Sequence, residues 1–182
     1  MAKKKTNTKS STTSKLKKPN FKLSSQQKLI FGSLMIIIGI LLCIAFLSFF
    51  FTGKADQSTL TELTSREVVT ENWLNKLGAW MSDFFITKGF GVSSFIFSGL
   101  LFLSGVYMIL DINKAKLRKH WIWGTLIAIW FSLFFGFFSN INGDLGGIIG
   151  FEINSFLQDY MGKIGTALLL LFGLIVYLAI RF

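Results

Sequence analysis

Four long runs without a charged side chain constrain this chain more than any other feature. The runs are Leu29–Phe51, Gly89–Leu110, Trp121–Ser139 and Ile164–Ile180. A helix needs about 20 apolar residues to cross the roughly 30 Å hydrocarbon core of a bilayer. Buried helices of a soluble protein would need amphipathic helices to cover them, and a chain that is 52% hydrophobic and 15% charged offers almost none. The runs therefore predict an all-α integral membrane protein with four transmembrane helices.

A lysine-rich segment precedes the first run. Residues 1–28 carry nine lysines and no acid, so they bury too little apolar surface to fold. They are predicted to form a disordered polybasic tail before a membrane domain at 29–182, and they are too long for a cleavable signal peptide. The tail contacts either anionic lipid headgroups, which its juxtamembrane position favours, or nucleic acid. The lysines expected to make this contact are Lys15, Lys17, Lys18, Lys22 and Lys28.

The basic residues are divided unevenly between the two sides of the predicted spans. Besides the tail, four basic residues lie in Asp111–His120, and Arg181 follows the last run. The segments Thr52–Lys88 and Asn140–Lys163 are balanced or acidic. Basic segments stay in the cytoplasm. This predicts a multi-pass membrane protein with both termini cytoplasmic and the two longer loops outside.

Both outer segments contain the periodicity of an amphipathic helix. One helix is predicted over residues 72–86 with Asn72 as its N-cap, and the other over residues 148–161. Each runs almost directly into a span, which favours a position in the membrane interface. The alternative is that the two helices pack on each other in a small outer domain. The segment 52–71 before the first helix shows no clear pattern.

The two outer segments resemble one another, which predicts a repeat of span, surface helix and returning span, with chance similarity as the alternative. Leu77-Gly78 pairs with Ile149-Gly150, and Gly91 pairs with Gly165 after a two-residue insertion in the second copy. Small residues allow close approach of membrane helices, either within one chain or between subunits. The glycines expected at structural contacts are Gly39, Gly78, Gly89, Gly91, Gly105, Gly150 and Gly165.

Residue patterns that carry chemistry are missing from the sequence. The four runs hold no Asp, Glu, Lys, Arg or His, which disfavours a secondary transporter. His120 is the single histidine and has no ligand partner nearby in the sequence, so no metal site is predicted. Gly162-Lys163 does not belong to a P-loop, because Leu157 stands where the first glycine is needed. The chain is therefore predicted to have no catalytic residue and no cofactor of its own.

Two glycine- and aromatic-rich stretches carry a family resemblance. The stretches GAWMSDFFITKGFGVSSF and NINGDLGGIIGFEINSFLQDYMGKIGTALLLL resemble the four-span N-terminal membrane region of the FtsK/SpoIIIE family of bacterial DNA translocases, in particular FtsK proteins of the Bacteroidetes. The resemblance covers roughly residues 30–182. The basic tail and the cytoplasmic position of both ends also match this family.

The resemblance implies a membrane anchor, in a bacterial inner membrane, for a hexameric cytoplasmic ATPase that moves chromosomal DNA through the closing septum. It implies septum targeting, homo-oligomerisation, and contact with the lipid bilayer and with division-site membrane proteins. The motor, with its ATP, magnesium and DNA, is expected to lie beyond Phe182, so no catalytic residue is carried over. Two other functions stay open: a channel or small-solute carrier subunit, and a lipid-binding membrane scaffold.

Overall fold

The computed structural model describes residues 24–60, 65, 67, 69–139 and 143–182. Regular structure in these residues is helical throughout, which confirms the predicted all-α class. Most of the predicted tail, including Lys15, Lys17, Lys18 and Lys22, lies outside the described residues. The elements are α1 (Ser25–Asp56), α2 (Asn75–Ser82), a π-helical segment (Asp83–Phe90), a 3-10 turn (Gly91–Ser94), α3 (Phe95–Ile109), α4 (Lys114–Gly136) and α5 (Gly147–Arg181).

Helix α1 is longer than the predicted first span at both ends. A capping box begins it, because Gln27 N donates to Ser24 Oγ at 3.2 Å and Ser24 N donates to Gln27 Oε1 at 2.9 Å. Lys28 therefore belongs to the helix and not to the tail. Since α-helices rise 1.5 Å per residue, the stretch from Lys28 to Ser48 covers about 30 Å, enough to cross the hydrocarbon core.

The connection between α3 and α4 is shorter than the predicted loop over residues 111–120. Helix α4 begins at Lys114, because the Asn113 side chain accepts a hydrogen bond from Ala115 N at 2.8 Å and caps the helix. The basic residues of the predicted loop consequently occupy the first turns of α4. The helix ends at Gly136, before the end of the predicted span at Ser139.

The first surface helix also differs from its predicted bounds of 72–86. It begins at Asn75, continues from Asp83 as a π-helix, and breaks at Gly89, where φ is −98° and ψ is −124°. Asn72 is not its N-cap, and that prediction is wrong. The Asn72 side chain instead accepts a hydrogen bond from Leu74 N and donates one to Ala45 O, each at 3.1 Å. A carbonyl of α1 therefore determines the position of Asn72.

The second surface helix and the last span form one bent helix, α5. Gly162 breaks it with φ of 70° and ψ of 170°. Residues 147–161 thus form the first segment of α5, close to the predicted helix over 148–161. Residues 163–181 form its second segment, which matches the predicted span over 164–180.

The helices pack as two halves. In the first half α1 packs along α3, and in the second half α4 packs along α5. Contacts of α3 with α4, and of the π-helical segment with α5, join the halves. A cluster of buried apolar side chains lies between α1 and the π-helical segment: Leu42, Ala45, Phe46, Phe49 and Ile86.

The turn from surface helix to returning span is alike in the two halves. It occurs at Gly91 (φ 66°) in the first and at Gly162 (φ 70°) in the second. Gly162, rather than Gly165, is therefore the counterpart of Gly91. Gly91 lies 13 positions after Gly78, and Gly162 lies 12 positions after Gly150. A π-helix holds one more residue than the α-helix it replaces. The predicted two-residue insertion in the second half is therefore wrong. The first half instead contains one extra residue, which lies in the π-helical segment.

Candidate functional site

Polar side chains of the described residues form pairs rather than a metal cluster, and no group of three or more His, Cys, Asp or Glu is found among them. The His120 ring packs against Tyr107, with 5.7 Å between the ring centroids, and its Nδ1 lies 2.8 Å from Lys116 O. Cys43 is a half-buried free thiol in α1. The features with distinctive geometry are the helix contacts and the exposed apolar faces.

Three glycines form the contact between α1 and α3. A Cβ atom added to Gly39 would lie 2.8 Å from Phe102 N and 2.9 Å from Ser98 O. Near the tail end of the same contact, a Cβ on Gly32 would lie 2.9 Å from Gly105 O. These atoms are backbone atoms, which cannot rotate away. The contact is therefore a glycine seam of the kind that lets membrane helices approach closely.

A second close contact joins α4 and the first segment of α5. A Cβ on Gly136 would lie 2.5 Å from Gly150 O. Ser132 Oγ donates to Gly146 O at 2.7 Å, and Asn154 Nδ2 donates to Leu133 O at 2.8 Å. Both polar side chains are fully buried or nearly so. Asn154 thereby supplies a partner for a carbonyl in the last turn of α4, where a helix leaves carbonyls without intrahelical partners, and Ser132 joins α4 to the start of α5.

Ser82 in the first half occupies the place of Asn154 in the second, since each lies four residues after a glycine of the surface helix. Ser82 Oγ donates to Ala45 O at 3.0 Å, a carbonyl of α1. Asn154 makes the equivalent bond to α4. In each half, a buried polar side chain of the surface helix therefore binds the backbone of the span that precedes it. This agreement supports the predicted repeat.

The two halves meet at Gly91 and Gly147, which both have positive φ. Val92 N donates to Leu145 O at 3.0 Å. A Cβ on Gly91 would lie 2.5 Å from Leu145 C, and a Cβ on Gly147 would lie 2.5 Å from Ile86 O. Only glycine combines this backbone conformation with such close approach. The end of the first surface helix thus abuts the start of the second.

The other glycines expected at contacts have different surroundings. A Cβ on Gly78 would lie 2.7 Å from Leu74 Cβ and 2.9 Å from Asn72 Cγ, both in the turn before α2. Gly89 is buried next to Phe84 O. Gly165 lies near Met161 Cβ of its own helix. The structure therefore does not place Gly165 at an interhelical contact.

A polar cluster at the end of α1 is a feature that the sequence reasoning missed. Asp56 is buried, and it accepts hydrogen bonds from Glu71 N at 2.6 Å and from Thr52 Oγ1 at 3.2 Å. Two turns before Asp56, Ser48 Oγ accepts a hydrogen bond from Trp73 N at 3.0 Å. The four-residue spacing of Ser48, Thr52 and Asp56 was the available signal, since it places three polar groups on one helix face. These bonds fix the chain that enters α2.

The π-helical segment contains an ion pair that depends on its geometry. Lys88 Nζ lies 2.7 Å from Asp83 Oδ2, and the Asp83 side chain is only 6% exposed. Residues five apart are neighbours on a π-helix, whereas an α-helix brings together residues three or four apart. Asp83 Oδ2 is buried without a hydrogen bond of good geometry, so the lysine compensates its charge.

At the opposite end of the bundle, Lys28 forms an ion pair with Asp111. The distance from Lys28 Nζ to Asp111 Oδ1 is 2.7 Å. The hydrogen bond from Lys28, its positive charge and the charge of Lys114 lower the pKa of the Asp111 carboxyl. The pair places the start of α1 beside the α3–α4 turn. Lys28, expected from sequence to contact lipid or nucleic acid, is therefore engaged within the fold.

Both surface helices keep an apolar stripe exposed. Leu77, Trp80 and Phe84 are at least half exposed in the first helix, and so are Phe156 and Tyr160 in the second. Contact between the two helices runs through the π-helical segment and the start of α5, which leaves these stripes open. This arrangement favours the interfacial position over a small outer domain.

Three helical stretches are long and apolar enough to cross a membrane by length and composition: Ser25–Asp56, Asn75–Ile109 and Gly147–Arg181. A family model for the 4TM region of DNA translocase FtsK/SpoIIIE matches residues 25–182. Searches of curated proteins and of solved structures each give no significant match. The family match covers most of the chain, including every helix from α1 to α5. The chain therefore belongs to the family of the four-transmembrane region of the FtsK/SpoIIIE DNA translocases.

Proposed function

We propose that this chain is the membrane-anchoring, septum-targeting and oligomerisation module of a cell-division DNA translocase. The family match over residues 25–182 carries the proposal, because it covers the whole helical bundle. The module assembles as a homo-oligomer, a hexamer as the resemblance implies, and contacts other membrane proteins of the division site. A motor segment beyond Phe182 supplies the ATP and magnesium chemistry and binds DNA.

The proposed orientation has both termini and the α3–α4 turn in the cytoplasm. Two observations support it. The Lys28–Asp111 ion pair brings the start of α1 and the α3–α4 turn to the same end of the bundle. That end also carries the lysines at the start of α4, and basic residues accumulate on the cytoplasmic side. The surface helices then lie at the outer face of the inner membrane.

Hydroxyl groups in the spans support an anchor more than a channel. Ser98 Oγ donates to Phe95 O at 2.9 Å, Ser104 Oγ to Leu100 O at 2.7 Å, and Thr166 Oγ1 to Gly162 O at 2.9 Å. Each of these side chains is buried and bonds to its own helix. They therefore allow close helix packing without lining a polar path for a solute.

A fluorescent fusion to residues 1–182 tests targeting and orientation together. We expect a fluorescent band at the division septum from a protein fused after Phe182 that is fluorescent only in the cytoplasm. A uniform membrane signal would contradict septum targeting. The orientation would be contradicted if the fluorescent fusion were dark and a periplasmic reporter enzyme fused at the same position were active. Reading the gene beyond Phe182 tests the link to a motor, since a Gly-x4-Gly-Lys-Ser/Thr motif is expected there.

Assembly is tested by cross-linking before the protein is taken out of the membrane. Cross-linking in native membranes followed by mass analysis is expected to give a ladder that ends at six copies. A ladder that stops at one copy for the unmodified chain would contradict oligomerisation by this module alone.

A further inference from the structure

An apolar groove of 520 Å³ runs between α4 and the second segment of α5. Its walls are aromatic on the α4 side and aliphatic on the α5 side. The lining residues are Trp130, Phe134, Phe137, Phe138, Ala167, Leu170, Leu171 and Leu174. Positions 167, 170, 171 and 174 share one face of α5, and positions 130, 134 and 137 share one face of α4. The groove therefore follows the helix axes for about two turns.

Fixed side chains keep this groove open. Trp130 Nε1 donates to Leu170 O at 2.9 Å, which holds the indole across the helix contact. The Trp130 ring also stacks on Phe134, with 5.4 Å between centroids and an interplanar angle of 10°. On α5, the small side chain of Ala167 leaves space that a larger residue would fill. The walls are thus held in place from both sides.

A smaller polar cavity of 190 Å³ adjoins the groove at the surface-helix end. Phe137 lines both spaces. The cavity is also lined by Gly136, Ser139, Phe151, Ser155, Gln158 and Lys163. Lys163 and Ala167 are four residues apart on α5, so the lysine lies directly above the groove. The two acids of the preceding segment, Glu152 and Asp159, are exposed and do not line the cavity.

The two spaces together have the shape and polarity of an amphiphile. Lys163 and Leu174 are eleven residues apart, about 16 Å along a helix, which is close to half of a roughly 30 Å hydrocarbon core. The whole site from Lys163 to Leu174 is therefore about one leaflet deep, and its apolar part, from Ala167 to Leu174, covers about 10 Å of that depth. A second apolar groove, of 390 Å³ between α1 and α2, has no charged residue among its described lining residues. The cation distinguishes the α4–α5 site.

We propose that this site binds one glycerophospholipid from the leaflet that faces the surface helices. Its phosphate lies at Lys163, its glycerol oxygens accept hydrogen bonds from Ser139 and Ser155, and one acyl chain fills the groove beside Trp130. The proposal rests on the proposed membrane placement of the bundle. The lipid completes the contact between α4 and the second segment of α5, where the two helices alone leave a gap.

Native mass spectrometry of the detergent-purified protein tests the site by counting retained phospholipids. We expect one tightly held lipid, with about fivefold weaker retention in Lys163→Gln, since a single lysine near phosphates contributes on that order. Ala167→Phe fills the groove and is expected to remove the bound lipid. Lys54→Gln and Ala179→Phe are matched controls, because both residues are exposed on helices of the same bundle and line neither space.

Equal retention in all four variants would overturn the proposal, as would equal loss from Lys163→Gln and Lys54→Gln, which would indicate a nonspecific charge effect. The amount of each variant in the membrane fraction is measured first. This distinguishes a failure of the proposed membrane placement from a failure of the lipid site. If the unmodified protein were absent from that fraction, the proposed membrane placement would fail first. If it is present but holds no lipid, only the lipid site is wrong.

Discussion

Substitution of Gly39 by alanine gives a direct measure of the α1–α3 seam. The added Cβ would lie 2.8 Å from Phe102 N, and ordinary van der Waals contact begins at 3.4 Å. The helices must therefore separate by about 0.6 Å at this point, because neither backbone can yield locally. Overpacking of this kind costs about 1–3 kcal/mol. Replacing glycine by alanine in a helix also stabilises it by about 1 kcal/mol, so the net effect of one variant is ambiguous.

Gly99→Ala removes that ambiguity. Gly99 lies on α3, the partner helix of the seam, and a Cβ there meets nothing within 4 Å. Both variants gain the same helix propensity, which cancels in their difference. We therefore expect Gly39→Ala to be less stable than Gly99→Ala by about 1–3 kcal/mol, the cost of the clash alone. Gly99→Ala itself should be as stable as the unmodified protein or more so.

The measurement is reversible unfolding of the purified protein in mild detergent. Unfolding is monitored as the loss of the helical circular dichroism signal. Both variants are compared at the same protein and detergent concentrations, so that assembly does not differ between them. Equal unfolding free energies for Gly39→Ala and Gly99→Ala would refute the seam. A Gly99→Ala variant that is less stable than the unmodified protein would show instead that α3 has a partner on its open side.

Three further predictions concern the junction, the buried polar bonds and the tail end. Gly91→Ala, with its positive φ and its contact with Leu145, should lower the melting temperature well below that of Gly143→Ala, whose Cβ is unobstructed. Asn154→Leu should cost about 1–3 kcal/mol in detergent unfolding, because Leu133 O loses its side-chain partner, and an unchanged stability would contradict this. The lowered pKa of Asp111 means that its ion pair stabilises the fold above the ordinary value of 3.8 and that this contribution disappears as the pH falls through the lowered pKa. A pH series of unfolding should therefore show less acid dependence for Asp111→Asn, and identical pH profiles would be evidence against the pair.

The sequence predicted the spans because a missing charge is a local property. It placed their ends poorly because a helix can continue through charged residues once a cap begins it. Helix α4 is the clearest case: Asn113 caps it, and four basic residues then lie in its first turns. The capping pattern was readable, but the rule that assigns charged residues to loops outweighed it. Charge separates membrane from water, whereas capping determines where the helix begins.

Asn72 and Gly91 show a different limit of sequence reasoning. The partner of the Asn72 amide is Ala45 O, 27 residues earlier, so no local pattern reveals that Asn72 binds α1 instead of capping α2. The sequence predicted a structural role for Gly91 but paired it with Gly165, whereas the structure pairs it with Gly162. The alignment assumed that both surface helices are α-helices, and the π-helical segment adds a residue that only backbone geometry reveals.

A motor attached beyond Phe182, as proposed above, would exert force on α5, so α5 must resist that force. A segment beyond Phe182 would pull on the second segment of α5, and of the three apolar stretches α5 is the least covered: 11% of its span is buried, against 33% for α1. The contacts that hold the second segment of α5 against α4 include the hydrogen bond from Trp130 to Leu170 O and the edge-to-face contact of Trp123 with Tyr177. Both contacts lie on the side of α5 that faces α4 and the apolar groove between the two helices. A bound phospholipid would add apolar contact along that side, so occupancy of the groove and resistance of α5 to a pulling force should rise together.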